Sequence, residues 1–136
     1  MHRFLTPITS LALVTAFAPA AAEGLSAAQM EAAQQVYLGT AECEMKQSVH
    51  LRAIDGRPGH FELQHRKARY TLTPEPTSTG AIRLEDRQAG IVWLQIPAKS
   101  MLLNAKAGRR EVDNCHHAEQ LGAAAEPSAG IGIAQR

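Results

Sequence analysis

The sequence predicts a small antiparallel β-barrel of about seven to eight strands with a short N-terminal helix. From about Cys43 to Cys115, apolar residues recur at every second position in short runs, the period of a half-buried strand. Hairpin-length links rich in Gly, Pro and Asp join those runs. The one helical period lies ahead of them, and a helix followed by strands without alternation argues against a parallel α/β fold.

The chain divides into a leader over 1–22, a helical segment over 23–42, a barrel domain over 43–117 and a tail over 118–136 that is expected to be disordered. Ser26 to Leu38 reads as a helix. Ser26 is a favourable N-cap, Gln29 stands in capping-box position three residues on, and Gly39 terminates it. Met30, Ala33, Val36 and Tyr37 form its apolar face. The face is weak, so the helix is expected on the outside of the main body.

Val49, Leu51 and Ala53 alternate with His50 and Arg52, and Asp55-Gly56-Arg57-Pro58-Gly59 turns the chain into Phe61 and Leu63. Ala68, Tyr70 and Leu72 make the next strand. Pro74 to Gly80 breaks the pattern, since two prolines cannot serve a central ladder, and Ile82 and Leu84 restart it. Ile91 to Ile96 is the most apolar run after the leader. Its apolar residues point to both faces, so this strand is expected to be central or covered on both sides. Pro97 ends or bulges it. Ser100 to Ala105, a turn at Lys106-Ala107-Gly108, and Arg110 to Cys115 complete the set.

Arg3, the apolar stretch Leu11–Phe17 and Ala20-Ala21-Ala22 have the layout of an export signal cleaved after Ala22. The apolar run is too short and too interrupted for a membrane span, so stable membrane insertion is not expected. The mature chain is expected to be periplasmic or secreted. Cys43 and Cys115 are the only cysteines, and in an oxidising compartment they are expected to pair. Such a bridge closes the barrel domain covalently and contributes roughly 4 kcal/mol in the chain-entropy account.

Removing the leader takes away Arg3 and no acid, leaving 13 basic and 13 acidic residues. That balance provides no basic field for nucleic acid or anionic lipid. His50, His60, His65, His116 and His117 invite a metal hypothesis. Adjacent histidines in a strand point to opposite faces, however, and no His-x-His or His-x3-His pair occurs. No metal site and no cofactor are expected. Neither a nucleophile elbow nor a phosphate loop is present, and a small barrel interior holds side chains rather than substrate, so the chain is read as non-enzymatic. The segment Pro74 to Arg83 is a proline-bracketed loop rich in Thr, Ser and Gly. It reads either as a stiff recognition loop or as a long hairpin connection.

Thr79-Gly80-Ala81-x-Arg83-x-Glu85, then Gly90-x-Val92-Trp93, Ser100-Met101-Leu102 and a last Cys115 follow one another as in the MliC-like family, bacterial envelope inhibitors of C-type lysozyme. The similarity covers about residues 37–115, and the same stretches resemble uncharacterised exported proteins of proteobacteria. The resemblance implies a small antiparallel barrel whose Ser78–Gly80 loop enters a lysozyme's active-site cleft. Ser78, Thr79, Gly80, Arg83 and Lys99 are then the target-binding candidates, with Thr79 at the family's inhibitory serine and Arg83 bracing the loop. The family's lysine after tryptophan falls on Gln95, whose neutral amide cannot make the charge-assisted contact to lysozyme's carboxylates. The expected partner is a C-type lysozyme or another envelope protein. The alternative is a periplasmic structural or ligand-binding module on the same barrel.

Overall fold

The computed structural model describes residues 24–125; the leader and the chain beyond Ala125 lie outside the described residues. Eight antiparallel strands follow one another in sheet order, each paired with its sequence neighbours: β1 Gly39–Glu42, β2 Ser48–Ala53, β3 Phe61–His65, β4 Ala68–Glu75, β5 Ile82–Asp86, β6 Ile91–Gln95, β7 Ser100–Asn104 and β8 Arg109–Cys115. The sheet curls into a nearly closed barrel. Its first and last strands meet at one antiparallel bridge, where Glu42 N–H donates to the His116 carbonyl at 3.1 Å and His116 N–H returns the bond at 2.8 Å. The Cys43–Cys115 disulfide stands beside that bridge, so the covalent link and the seam coincide.

Alternation sets the inside of the barrel. Val49 and Leu51, Leu63, Leu72, Leu84, Trp93, Leu102 and Val112 point inward and are at most 1 % exposed. Each such large apolar side chain contributes about 1.5–3 kcal/mol on burial. Trp93 is the largest of them and fills the middle. Among the described residues no helix is long and apolar enough to cross a membrane.

Two segments depart from the sequence expectation. The helix α1 spans only Ala27–Ala33, although its capping box forms as expected, with Gln29 N–H on Ser26 Oγ at 3.1 Å and Ser26 N–H on Gln29 Oε1 at 2.8 Å. The chain leaves the helix because Gln95 takes the Gln35 carbonyl and the Tyr37 N–H for itself. Gly39, expected to stop the helix, instead opens β1 at φ +97°, a conformation that strongly favours glycine. The second departure is at the other end. The stretch expected to be a disordered tail begins with a helix, α2, Ala118–Ala125. Its Gln120 is fully buried and donates to the Ile96 carbonyl at 2.8 Å and to Ser100 Oγ at 2.9 Å.

Replacing both Cys43 and Cys115 by Ala opens a loop with a sequence separation of 72. The expected loss is roughly 4 kcal/mol of unfolding free energy, read from the urea midpoint against the oxidised protein. A loss near zero would mean that the backbone seam alone holds the barrel closed.

Candidate functional site

The loop between β4 and β5 stands at the barrel end to which the β6–β7 turn also belongs. Pro76, Thr77, Ser78, Thr79 and Gly80 are all exposed. The loop braces itself. Thr77 Oγ1 donates to the Ala81 carbonyl at 2.6 Å, and Ala81 N–H points to Thr79 Oγ1 at 3.4 Å. Gly80 turns the chain at φ +79° with open space around its α-carbon. Pro74 remains inside β4 rather than ending it, and its carbonyl accepts from Gln29 Nε2 at 2.8 Å. That bond fixes α1 against the base of the loop.

A groove runs beside the loop. One part, about 300 Å³, is lined by Gln35, Tyr37, Gly80, Ile82, Gln95, Ile96 and Pro97. The other, about 210 Å³, lies between α1 and the loop and shares Gln35, Gly80 and Ile82 with the first. The loop, the helix and the β6–β7 turn thus frame one surface with mixed apolar and amide character.

Of the candidates from sequence, Ser78, Thr79 and Gly80 sit together on this rim. Arg83 does not brace the loop: it lies on the barrel wall, where its Nε and Nη2 both bond Glu85. Lys99 lies in the β6–β7 turn and is paired with Asp113, its Nζ 3.0 Å from Oδ1. Arg110 shares the same carboxylate at 2.7 Å. Burial alone would raise the Asp113 pKa, but the Asn114 N–H, Lys99 and Arg110 outweigh it and hold the carboxyl below its ordinary value.

Gln95, at the family's lysine position, is 3 % exposed. It accepts from Tyr37 N–H at 3.0 Å and donates to the Gln35 carbonyl at 2.9 Å, tying the N-terminal segment to the rim. In the sequence it stands out only as a missing charge, with no local signal of this anchoring role. The sequence offers His117, beside His116, as a metal-ligand candidate. It is 1 % exposed, packed edge-on against Trp93 and tilted against Tyr37, with ring centroids 6.1 Å away in both cases. Neither ring nitrogen has a partner in hydrogen-bond geometry, though the Gly39 carbonyl and the Gln120 side chain face the ring. Among the described residues no three His, Cys, Asp or Glu side chains converge as a metal site. Comparison of the chain with protein-family models, curated proteins and solved structures finds no match.

Gln95→Ala strands the Tyr37 N–H and the Gln35 carbonyl. It is expected to cost about 1–3 kcal/mol in urea unfolding and to speed amide exchange at Tyr37. An unchanged Tyr37 exchange rate would refute the anchor.

Burial lowers the pKa of both His117 and His65 from 6.5, with Glu119 and Gln120 opposing it at the first and Glu111 at the second. Above about pH 6.5 both states are neutral there. Below it the unfolded chain binds protons that the folded chain refuses, so stability is expected to fall as the pH drops toward the folded values. His117→Phe should flatten that slope in urea midpoints measured from pH 7.5 to 5.

Proposed function

We propose that the protein is an exported, non-enzymatic binding module of the lysozyme-inhibitor type. In this reading the Ser78–Gly80 loop enters the active-site cleft of a C-type lysozyme. The observation that carries the reading is the loop itself. It is exposed, braced internally at Thr77 and Thr79, and mounted on a strand pair that α1 buttresses through Gln29. A loop already ordered before contact loses less conformational freedom on binding, so more of its contact energy appears as affinity. The barrel interior supports binding over catalysis, because Trp93 and its leucine neighbours fill it and the groove lies outside.

A second reading rests on Gln95. Its amide is committed to the Gln35 carbonyl and the Tyr37 N–H and is buried, so it offers nothing to a lysozyme carboxylate. On that reading the same rim groove serves a different envelope partner. The deciding assay is lysis of Micrococcus-type cell walls by a C-type lysozyme, with and without the oxidised protein. Dose-dependent protection is expected, weakened on the order of ten-fold by Thr79→Ala. Unchanged lysis at a large molar excess would remove the lysozyme reading and leave the second one.

A further inference from the structure

Among the described residues, three buried side-chain nitrogens lack a hydrogen-bond partner: Trp93 Nε1, His117 Nδ1 and His117 Nε2. All three belong to one edge-on ring pair. A buried polar group without a partner costs free energy, and a buried charge without one costs far more. The site therefore tolerates the neutral imidazole and not the imidazolium. Around the ring stand Trp93 from β6, Tyr37 from the segment after α1, the Gly39 carbonyl from β1, His50 from β2, and Glu119 and Gln120 from α2. His50 opposes a charge on the ring. Glu119 favours one, but it is exposed and its field is screened by solvent. Gln120 Oε1 is already engaged, accepting from the His117 N–H at 2.9 Å.

His117 also stands at the joint between the seam and α2. On its upstream side Cys115 is in the disulfide, and His116 exchanges two backbone bonds with Glu42. On its downstream side α2 begins at Ala118. Among the described residues, the hydrogen bonds that join α2 to the barrel are the two from Gln120, to the Ile96 carbonyl and Ser100 Oγ. Leu121, the one large apolar residue of α2, is 56 % exposed and adds little. Bringing a charged His117 into water thus requires only that the chain swing from residue 117 onward. The strands upstream stay clamped.

We propose that His117 and α2 form an acid-released latch on the barrel end: protonation of the imidazole swings α2 off while the disulfide and the Glu42–His116 bridge keep the barrel closed. Docked, the ring resists the proton; released into water, it takes the proton at its ordinary value of about 6.5. Docking is therefore complete above that pH and weakens as the pH falls below it, by up to about ten-fold per pH unit for one proton. Release also frees the Ile96 carbonyl, and Ile96 lines the rim groove, so acid alters that surface.

Amide hydrogen exchange on the full oxidised protein reads the latch, followed by NMR from about pH 7.5 to 5 and corrected for the intrinsic rate at each pH. The Gln120 and Leu121 N–H groups bond the His117 carbonyl at 3.1 and 3.2 Å. Their opening should rise by up to about ten-fold per pH unit below about pH 6.5, while the barrel amides of Leu84 and Leu102 keep their protection. Trp93, the chain's single tryptophan, should shift its emission to the red over the same range. His117→Phe keeps a ring in the site and removes the proton, so the opening of Gln120 and Leu121 should become flat with pH. Gln120→Ala keeps the imidazole and removes the anchor, and should move release to higher pH; it decides the matter if His117→Phe does not fold. Gln120 and Leu121 amides that open only together with Leu84 and Leu102 would overturn the latch. So would a pH dependence that survives His117→Phe, or release unmoved by Gln120→Ala.

Discussion

The closure of the barrel between β1 and β8 is the constraint on which the remaining geometry depends. An eight-stranded meander has two edges, and unless they meet, both present unpaired N–H and C=O groups to solvent. Here the two edges share a single bridge at Glu42 and His116, which is little backbone pairing for a seam. Cys43 and Cys115, each the next residue at that bridge, supply the missing permanence by forbidding the edges to separate far in the unfolded chain. With the seam fixed, the shear of the sheet is fixed. Its ends then place the β4–β5 loop and the β6–β7 turn at a common rim.

Three glutamines do for the non-barrel segments what the disulfide does for the strands. Gln29 holds α1 to the Pro74 carbonyl, Gln95 holds the stretch after α1 to the rim, and Gln120 holds α2 to Ile96 and Ser100. A primary amide carries both donors and an acceptor, so one side chain can satisfy backbone groups that no ladder reaches. Gln29 and Gln120 each also close a local contact, with Ser26 N–H and His117 N–H, while Gln95 accepts from the distant Tyr37 N–H. The short helices have little apolar face to offer. Ala33 of α1 packs on the barrel core, and polar bonds at the barrel's ends complete the placement of both helices.

That division explains what was legible in the chain. Strands whose inward residues are Leu, Val or Trp were readable because a period of two is imposed by the pleat itself, and the disulfide was readable from cysteine number and the leader. The helix start at Ser26 was readable because a capping box is local. Its end was not, because Gln95 lies about sixty positions away in sequence and overrides a mild helix preference. For the same reason α2 was hidden: Ala/Gly-rich sequence has no periodic signal, and Gln120 gains its role only from a barrel end already built. Ser78, Thr79 and Gly80 were found as a loop. Sequence order puts Arg83 and Lys99 near it, but β5 carries Arg83 along the wall to Glu85, and Lys99 in the β6–β7 turn is paired with Asp113.

A filled interior moves every interaction to the outside, and the outside has two distinct kinds of surface. At the end, the β4–β5 loop is polar, small in side chain and braced by its own hydroxyls, which suits contact with a concave partner through backbone and short hydrogen-bonding groups. On the wall, Val92, Leu94, Met101 and Leu103 form an apolar outer layer in which Val92 is buried and the other three are partly exposed. The same alternation makes both possible. Once the inward positions of β6 and β7 are given to Ile91, Trp93 and Leu102, their outward positions are free of any duty to the core. Val92 among them is nevertheless 3 % exposed, so part of this outer layer is packed within the chain itself. The loop needs none of that face, because it lies at the strand ends and leaves the wall uncovered.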